Sequence, residues 1–168
     1  MGDYLDIIRR VIEEHQAIRG HIKLVGETVS DRVALSSLEK TRADWVPGRP
    51  EVPAETRDKL QQAMAELDAG IKNHFAFEGR ALPSLLGELF MQAILLDHRE
   101  IIFALKEGKA LAAEIKLEGL TRGELLTRES QIQEMINKIV RLIGEHVMRE
   151  ETLLDMLQRV LEAEERNK

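Results

Sequence analysis

The chain has 168 residues, enough for a single domain with a sizeable core, and its 43% hydrophobic and 32% charged fractions read as a charge-coated helical protein. Cysteine is absent, which excludes disulfides, thiolate metal ligands, Fe–S clusters and thiol catalysis, and fits a reducing cytoplasm. A net charge of −6 without a basic stripe argues against a nucleic-acid partner, and neither a membrane-spanning run nor a signal peptide is visible.

Hydrophobic periodicity predicts four helices. The first spans about Tyr4 to Lys40, with an inward series Ile8, Val11, His15, Ile18, Ile22, Val25, Val29. The segment Trp45-Val-Pro-Gly-Arg-Pro-Glu-Val-Pro53 cannot be helical and forms the longest connection. The second helix starts near Pro53 and carries Leu60, Met64, Leu67, Ile71, His74, Glu78, Ala81 and Leu85, with Pro83 and Gly87 marking its end, or with Pro83 only kinking it. The third carries Met91, Ile94, His98, Ile101, Leu105 and Ala112. Leu117-Glu-Gly-Leu-Thr-Arg-Gly123 is the next break, where Thr121 and Glu124 read as a capping box. The fourth helix has the cleanest seam: Ile132, Ile136, Ile139, Ile143, His146, Glu150, Leu153, Leu157, Val160.

Four of the five histidines fall on these apolar stripes, one per helix: His15, His74, His98 and His146. Two have a glutamate one turn on, in His74-Phe-Ala-Phe-Glu78 and His146-Val-Met-Arg-Glu150. A polar group buried without a partner costs free energy, so one accident of this kind is unremarkable but the ordered set is not. Residues at one height in antiparallel neighbours lie equally far from the turn between them. The midpoints between His15, His74/Glu78, His98 and His146/Glu150 fall within the Trp45–Gly48 stretch, at Gly87 and at Gly123, all on breaks found independently. The six groups are therefore expected to share one layer of an all-α, up-down-up-down antiparallel four-helix bundle occupying residues 1–168 as one domain.

Nitrogen and oxygen donors without sulfur suit iron or manganese, with zinc and copper left open. Four histidines and two carboxylates exceed a closed tetrahedral zinc site. They fit two metal ions bridged by Glu78 and Glu150. The carboxylate-rich ferritin-like balance is the reverse of this one.

His15, His74-x3-Glu78, His98 and His146-x3-Glu150 resemble the pattern of the hemerythrin-like, or HHE cation-binding, domain. The local context agrees: Glu14-His15, Leu82-Pro83 after the second-helix motif, Asp97-His98-Arg-Glu-Ile, and Glu151-x-Leu-Leu after Glu150. The likeness runs from about Tyr4 to Leu161. It implies a left-handed bundle around two iron ions joined by an oxo or hydroxo bridge, with a small ligand such as O2 or NO as partner. Departures narrow this. Oxygen carriers of the family have a further histidine where this chain has Ile102, and the second acid common after the His-x3-Glu motif is replaced by Gly79. They also use an acid five residues after the last histidine, the place of Glu151; Glu150 is preferred here because i+4 lies on the face of His146. The four-histidine, two-glutamate set is similar to that of iron-centre repair proteins linked to nitrosative stress, whose cysteines have no counterpart in this sequence.

The expected function is thus a non-haem di-iron protein that binds or senses oxygen, a related small ligand, or iron and redox state. The alternative is a di-iron enzyme or repair factor acting on nitric oxide, peroxide or oxygen. No organic-substrate pocket or proton relay is legible, so binding is ranked above catalysis, and oligomeric state is not readable. His21, roughly 120° off the stripe, is expected at the surface or boundary. Glu14, Asp97 and Glu145 point away from the rings of their sequence neighbours and are expected to be solvated charges. Phe75, Phe77 and Phe103 are expected to wall the site or fill the core, Met148 to pack, and Trp45 to anchor the long connection.

Overall fold

The computed structural model describes residues 2–43, 54–113 and 122–167. Four helices account for them: α1 (Gly2–Ala43), α2 (Ala54–Ala81), α3 (Pro83–Ala113) and α4 (Arg122–Arg166). Each packs on its neighbours in the order α1, α2, α3, α4 and back to α1, the closed ring of an up-down-up-down bundle. The Val29 side chain, the Trp45–Pro53 connection with its tryptophan, and residues 117–121 of the expected Leu117–Gly123 break with half of its capping box lie outside the described residues; Arg122 and Gly123, expected in that break, open α4 instead.

The boundary between α2 and α3 differs from the expected one. Pro83 opens α3 rather than kinking α2: it has no N–H to give and disfavours helix at the residue before it. The last bond of α2 runs from Leu82 N–H to Glu78 C=O at 2.9 Å. One turn follows, closed by the Leu86 N–H on the Leu82 carbonyl at 2.8 Å. Gly87 then breaks the helix with φ 75° and ψ 170°, a conformation that an L side chain resists. Because the chain reverses here, the inward phase does not run on to Ala81 and Leu85, which are half-buried; Leu82 and Leu86 point inward instead. The far end of α4 shifts similarly. Leu154 is buried, Leu153 and Leu157 are half-buried, and Val160 is exposed, because a straight helix drifts away from a strict heptad stripe.

The apolar interior forms two clusters. The larger holds Ile18 and Val25 of α1, Leu60 to Ile71 of α2, Ile101 to Ala112 of α3 and Ile132 to Ile143 of α4. The smaller holds Ile8, Val11, Leu82, Leu86, Met91, Ile94 and Leu154. His15, His74, Glu78, His98, His146 and Glu150 are all buried, and along each helix they fall between residues of the two clusters. Among the described residues no helix is long and apolar enough to cross a membrane.

Candidate metal centre

All four helices contribute to this layer, α2 and α4 through a histidine and a glutamate one turn apart, α1 and α3 through one histidine each. His74 Nε2 lies 2.6 Å from Glu78 Oε1, His98 Nε2 lies 3.0 Å from Glu78 Oε2, and His15 Nε2 lies 3.5 Å from Glu78 Oε1. Glu150 Oε2 is 3.3 Å from His15 Nε2 and 3.4 Å from His146 Nε2. None of these approaches has hydrogen-bond geometry. The four Nε2 atoms and all four carboxylate oxygens are buried without a hydrogen-bond partner. These eight are all the orphaned buried side-chain polar atoms among the described residues, and they belong to the six residues singled out by periodicity.

Ligand atoms of His15, His74, Glu78, His146 and Glu150 lie within 4.8 Å of one another. His98 stands at the edge of that group, joined to it through Glu78 and by a 4.9 Å separation of its ring centroid from that of His146. An imidazole nitrogen and a carboxylate oxygen crowded together without a proton between them suit a shared cation, and the set contains no sulfur. The donor chemistry therefore fits a metal, and the buried His/Glu cluster is a place that could hold one.

Two of the histidines are held from behind, and a third faces an acid there. His15 Nδ1 donates to Glu151 Oε1 at 3.2 Å, His74 Nδ1 donates to Glu14 Oε2 at 2.9 Å, and His146 Nδ1 faces Asp97 Oδ2 at 3.6 Å. Each acid is in turn gripped by an arginine: Arg19 on Glu151 at 2.6 Å, Arg10 on Glu14 at 3.0 Å and Arg149 on Asp97 at 2.7 Å. A carboxylate only accepts, so where it receives Nδ1–H it fixes the proton there and turns the Nε2 lone pair inward. Glu14 and Asp97 are thus not merely solvated charges. Each points away from the histidine beside it in sequence and toward the histidine of an adjacent helix, a partner visible only once the helices are packed. Glu145 does remain a surface charge, paired with Arg141 and Arg149. His98 has no such acid; the Phe75 ring stacks on it instead, at 3.6 Å and 7°.

The other aromatic and methionine expectations divide. Phe77 is half-buried with Arg10 over its ring at 4.0 Å. Phe103 and Met148 are exposed and pack into no core. His21 is a half-buried boundary residue bonded to the Ala17 carbonyl at 2.9 Å.

Burial and mutual charge set the protonation of the metal-free layer. Burial, with the nearby Glu150 charge, pushes the Glu78 carboxyl up to about 9 against the opposing His15 contact. For Glu150 burial acts upward too, but its contacts with His15 and Glu78 and the nearby His146 hold it below the usual carboxylate range. Burial would lower His15, but the carboxylates Glu150 and Glu78 raise it. Burial and the neighbouring His146 push His98 down to about 3, and burial also lowers His146 against the pull of Glu150.

The hemerythrin HHE cation-binding domain model matches residues 6–157 of the chain. No curated protein and no solved structure matches it.

Proposed function

This chain belongs to the hemerythrin HHE cation-binding family, and from that premise we propose that it is a non-haem di-iron protein that binds or senses oxygen or a related diatomic ligand. The observation that carries the reading is the set of eight orphaned ligand atoms on six buried side chains. Two ions are proposed rather than one because the eight donor atoms exceed both a closed tetrahedral site and the six positions of an octahedral ion.

Ring spacing suggests how the histidines divide. His15 and His74 have centroids 4.7 Å apart, and His98 and His146 have centroids 4.9 Å apart. One ion would be held by the first pair and the other by the second. Glu78 would span them, since its Oε1 faces His74 and its Oε2 faces His98. Glu150, between His15 and His146, is the second candidate bridge. An iron pair supplies two electrons and coordination positions that protein donors leave free.

The protein's own contribution is to hold the imidazoles and to keep water scarce. Arg10–Glu14 and Arg19–Glu151 would orient two of the rings, and Arg149–Asp97 stands behind a third. The His98/His146 side would have one imidazole fewer than in an oxygen carrier, because Ile102 occupies the place of the further histidine. A cavity of about 290 Å³ reaches His146 and Glu150 on that side between Phe90, Ala93, Ile94 and Leu153, with Asp97 and Arg149 also in its lining. Its largely apolar wall would offer a diatomic ligand an approach to the centre.

Metal analysis of the purified protein tests the centre, with about two irons per chain expected from the donor count. A ligand-to-metal absorption band that appears with oxygen and bleaches on degassing supports reversible binding. Irreversible oxidation with turnover of nitric oxide or peroxide would transfer the protein to the enzyme class. Absence of bound metal after iron loading would refute the centre altogether.

A further inference from the structure

On the flank of the bundle, α2 and α3 enclose an open groove of about 570 Å³, within the range of small-molecule sites. Its floor is apolar, made by Phe75, Leu95, Ile102 and Phe103. Lys72, Arg99 and Lys106 stand along the wall with Ala76 and His98, and no acid lines it. Three cations without a carboxylate are unexpected in a chain of net charge −6. Lys72 is shared with Asp68 at 2.8 Å. Arg99 and Lys106 make no hydrogen bond or ion pair among the described residues.

Phe103 is 59% exposed between these two cations, one turn from each along α3. A large aromatic face left in water beside unpaired positive charge is the arrangement that an apolar anion satisfies at both ends. We propose that this groove binds a small, free, apolar carboxylate, of the size of a medium-chain fatty acid, with its chain on the apolar floor and its carboxylate at the Arg99/Lys106 rim. Such a ligand would lie against Phe75, the ring stacked on His98, and so next to the histidine that no carboxylate braces. The proposal does not depend on which metal the bundle holds.

The test is calorimetric titration with decanoate, using the protein as purified and again after chelation, with decanol as the uncharged analogue. Saturable one-to-one binding of decanoate is expected, with decanol weaker by about tenfold or more because it lacks the charge-assisted contact. The double variant Arg99→Gln/Lys106→Gln should weaken decanoate by a similar factor, and Phe103→Ser should weaken both ligands. Lys138→Gln, whose lysine pairs with Glu107 elsewhere, should change neither. Equal binding of the two ligands, an unchanged affinity in the double variant, or no saturable binding would overturn the proposal. So would sedimentation showing a dimer that Phe103→Ser dissolves. Recruitment to anionic phospholipid vesicles without binding of free decanoate would also overturn it, by making the groove a membrane contact.

Discussion

Glu151 is the residue on which the bracing argument is most exposed to test. It is adjacent to Glu150; helical spacing favours Glu150 as the inward carboxylate, whereas the family's oxygen carriers use the acid at the place of Glu151. The geometry gives them different tasks: Glu150 faces the Nε2 atoms of His15 and His146, whereas Glu151 receives His15 Nδ1 and is gripped by Arg19. Glu151→Ala should therefore preserve two metals per chain but weaken them. Losing the group behind a histidine ligand lowers metal affinity by about 10–100-fold, or about 1.4–2.7 kcal/mol. In the metal-free protein the fully buried His15 would be left with an unpartnered Nδ1, at a cost of about 1–3 kcal/mol. For a chain of this length each kcal/mol lowers Tm by roughly 2–4 °C, giving a drop of roughly 2–12 °C. Glu151→Gln keeps an acceptor for Nδ1 and should fall between. Glu150→Gln should instead reduce the number of metals bound. Asp155→Ala, which breaks only an exposed pair with Arg159, should stay within about 0.5 kcal/mol of wild type. Competition with a chelator, metal counting and thermal melts read all three quantities. Affinity unchanged within about twofold in Glu151→Ala would refute the bracing, and loss of stoichiometry there with none in Glu150→Gln would reverse the two roles.

Other perturbations follow from the same contacts. Metal loading near pH 7 should release protons and tighten as pH rises toward about 9, because burial raises Glu78 and the carboxylates raise His15 in the metal-free layer; a pH-stat titration without proton release would contradict this. Chelation should lower Tm by far more than removal of a surface ion, since it restores eight orphaned buried atoms; equal melts with and without metal would argue against convergence on a cation. Asp68, buried beside Lys109 and Lys72 at 2.7 and 2.8 Å, is held below its ordinary value by those lysines despite burial. A depressed carboxylate stabilises the fold above its unfolded pKa and loses that contribution as pH falls through the folded value. Asp68→Asn should thus cost about 1 kcal/mol at neutral pH, discounted for the exposed lysines, and flatten the acid limb of the stability profile. Gly87→Ala should cost about 1–3 kcal/mol by denaturant titration through its backbone conformation alone, since no neighbouring atom lies within 4 Å of an added Cβ.

Much of this was readable in the sequence because one physical rule covered it. The stripe Ile132, Ile136, Ile139, Ile143, His146, Glu150 places two polar residues where only apolar ones are cheap, and all six are buried as the spacing demands. The α2–α3 turn was less legible. Gly87 was visible as a break, but the inward phase depends on whether the chain reverses before or after Pro83, and Leu82 and Leu85 are equally apolar. Glu14 and Asp97 were misread because a residue next to a ligand is rotated by about 100° from it on the same helix. That rotation removes it from its own neighbour's ring and presents it to the histidine of an adjacent helix. Arg10, four residues before Glu14, and Arg149, three after His146, were the available signals, but they acquire meaning only from the packing order of the helices.

The polar layer also explains why the bundle has two apolar clusters rather than one. Ile18 and Ile8 of α1 belong to different clusters, with His15 between them; Ile101 and Ile94 of α3 are divided in the same way by His98. Hydrophobic residues at those six places would join the clusters and stabilise the fold more simply. The smaller cluster, around Leu82, Leu86 and Leu154, would otherwise be held to the larger one mainly through continuous helix backbone. A cation engaging side chains from all four helices would supply the transverse connection that the apolar core gives up at that level. On the proposed assignment, the side chains that make the metal-free interior costly would make the metal a structural cross-tie, and folding would be linked to loading of the centre.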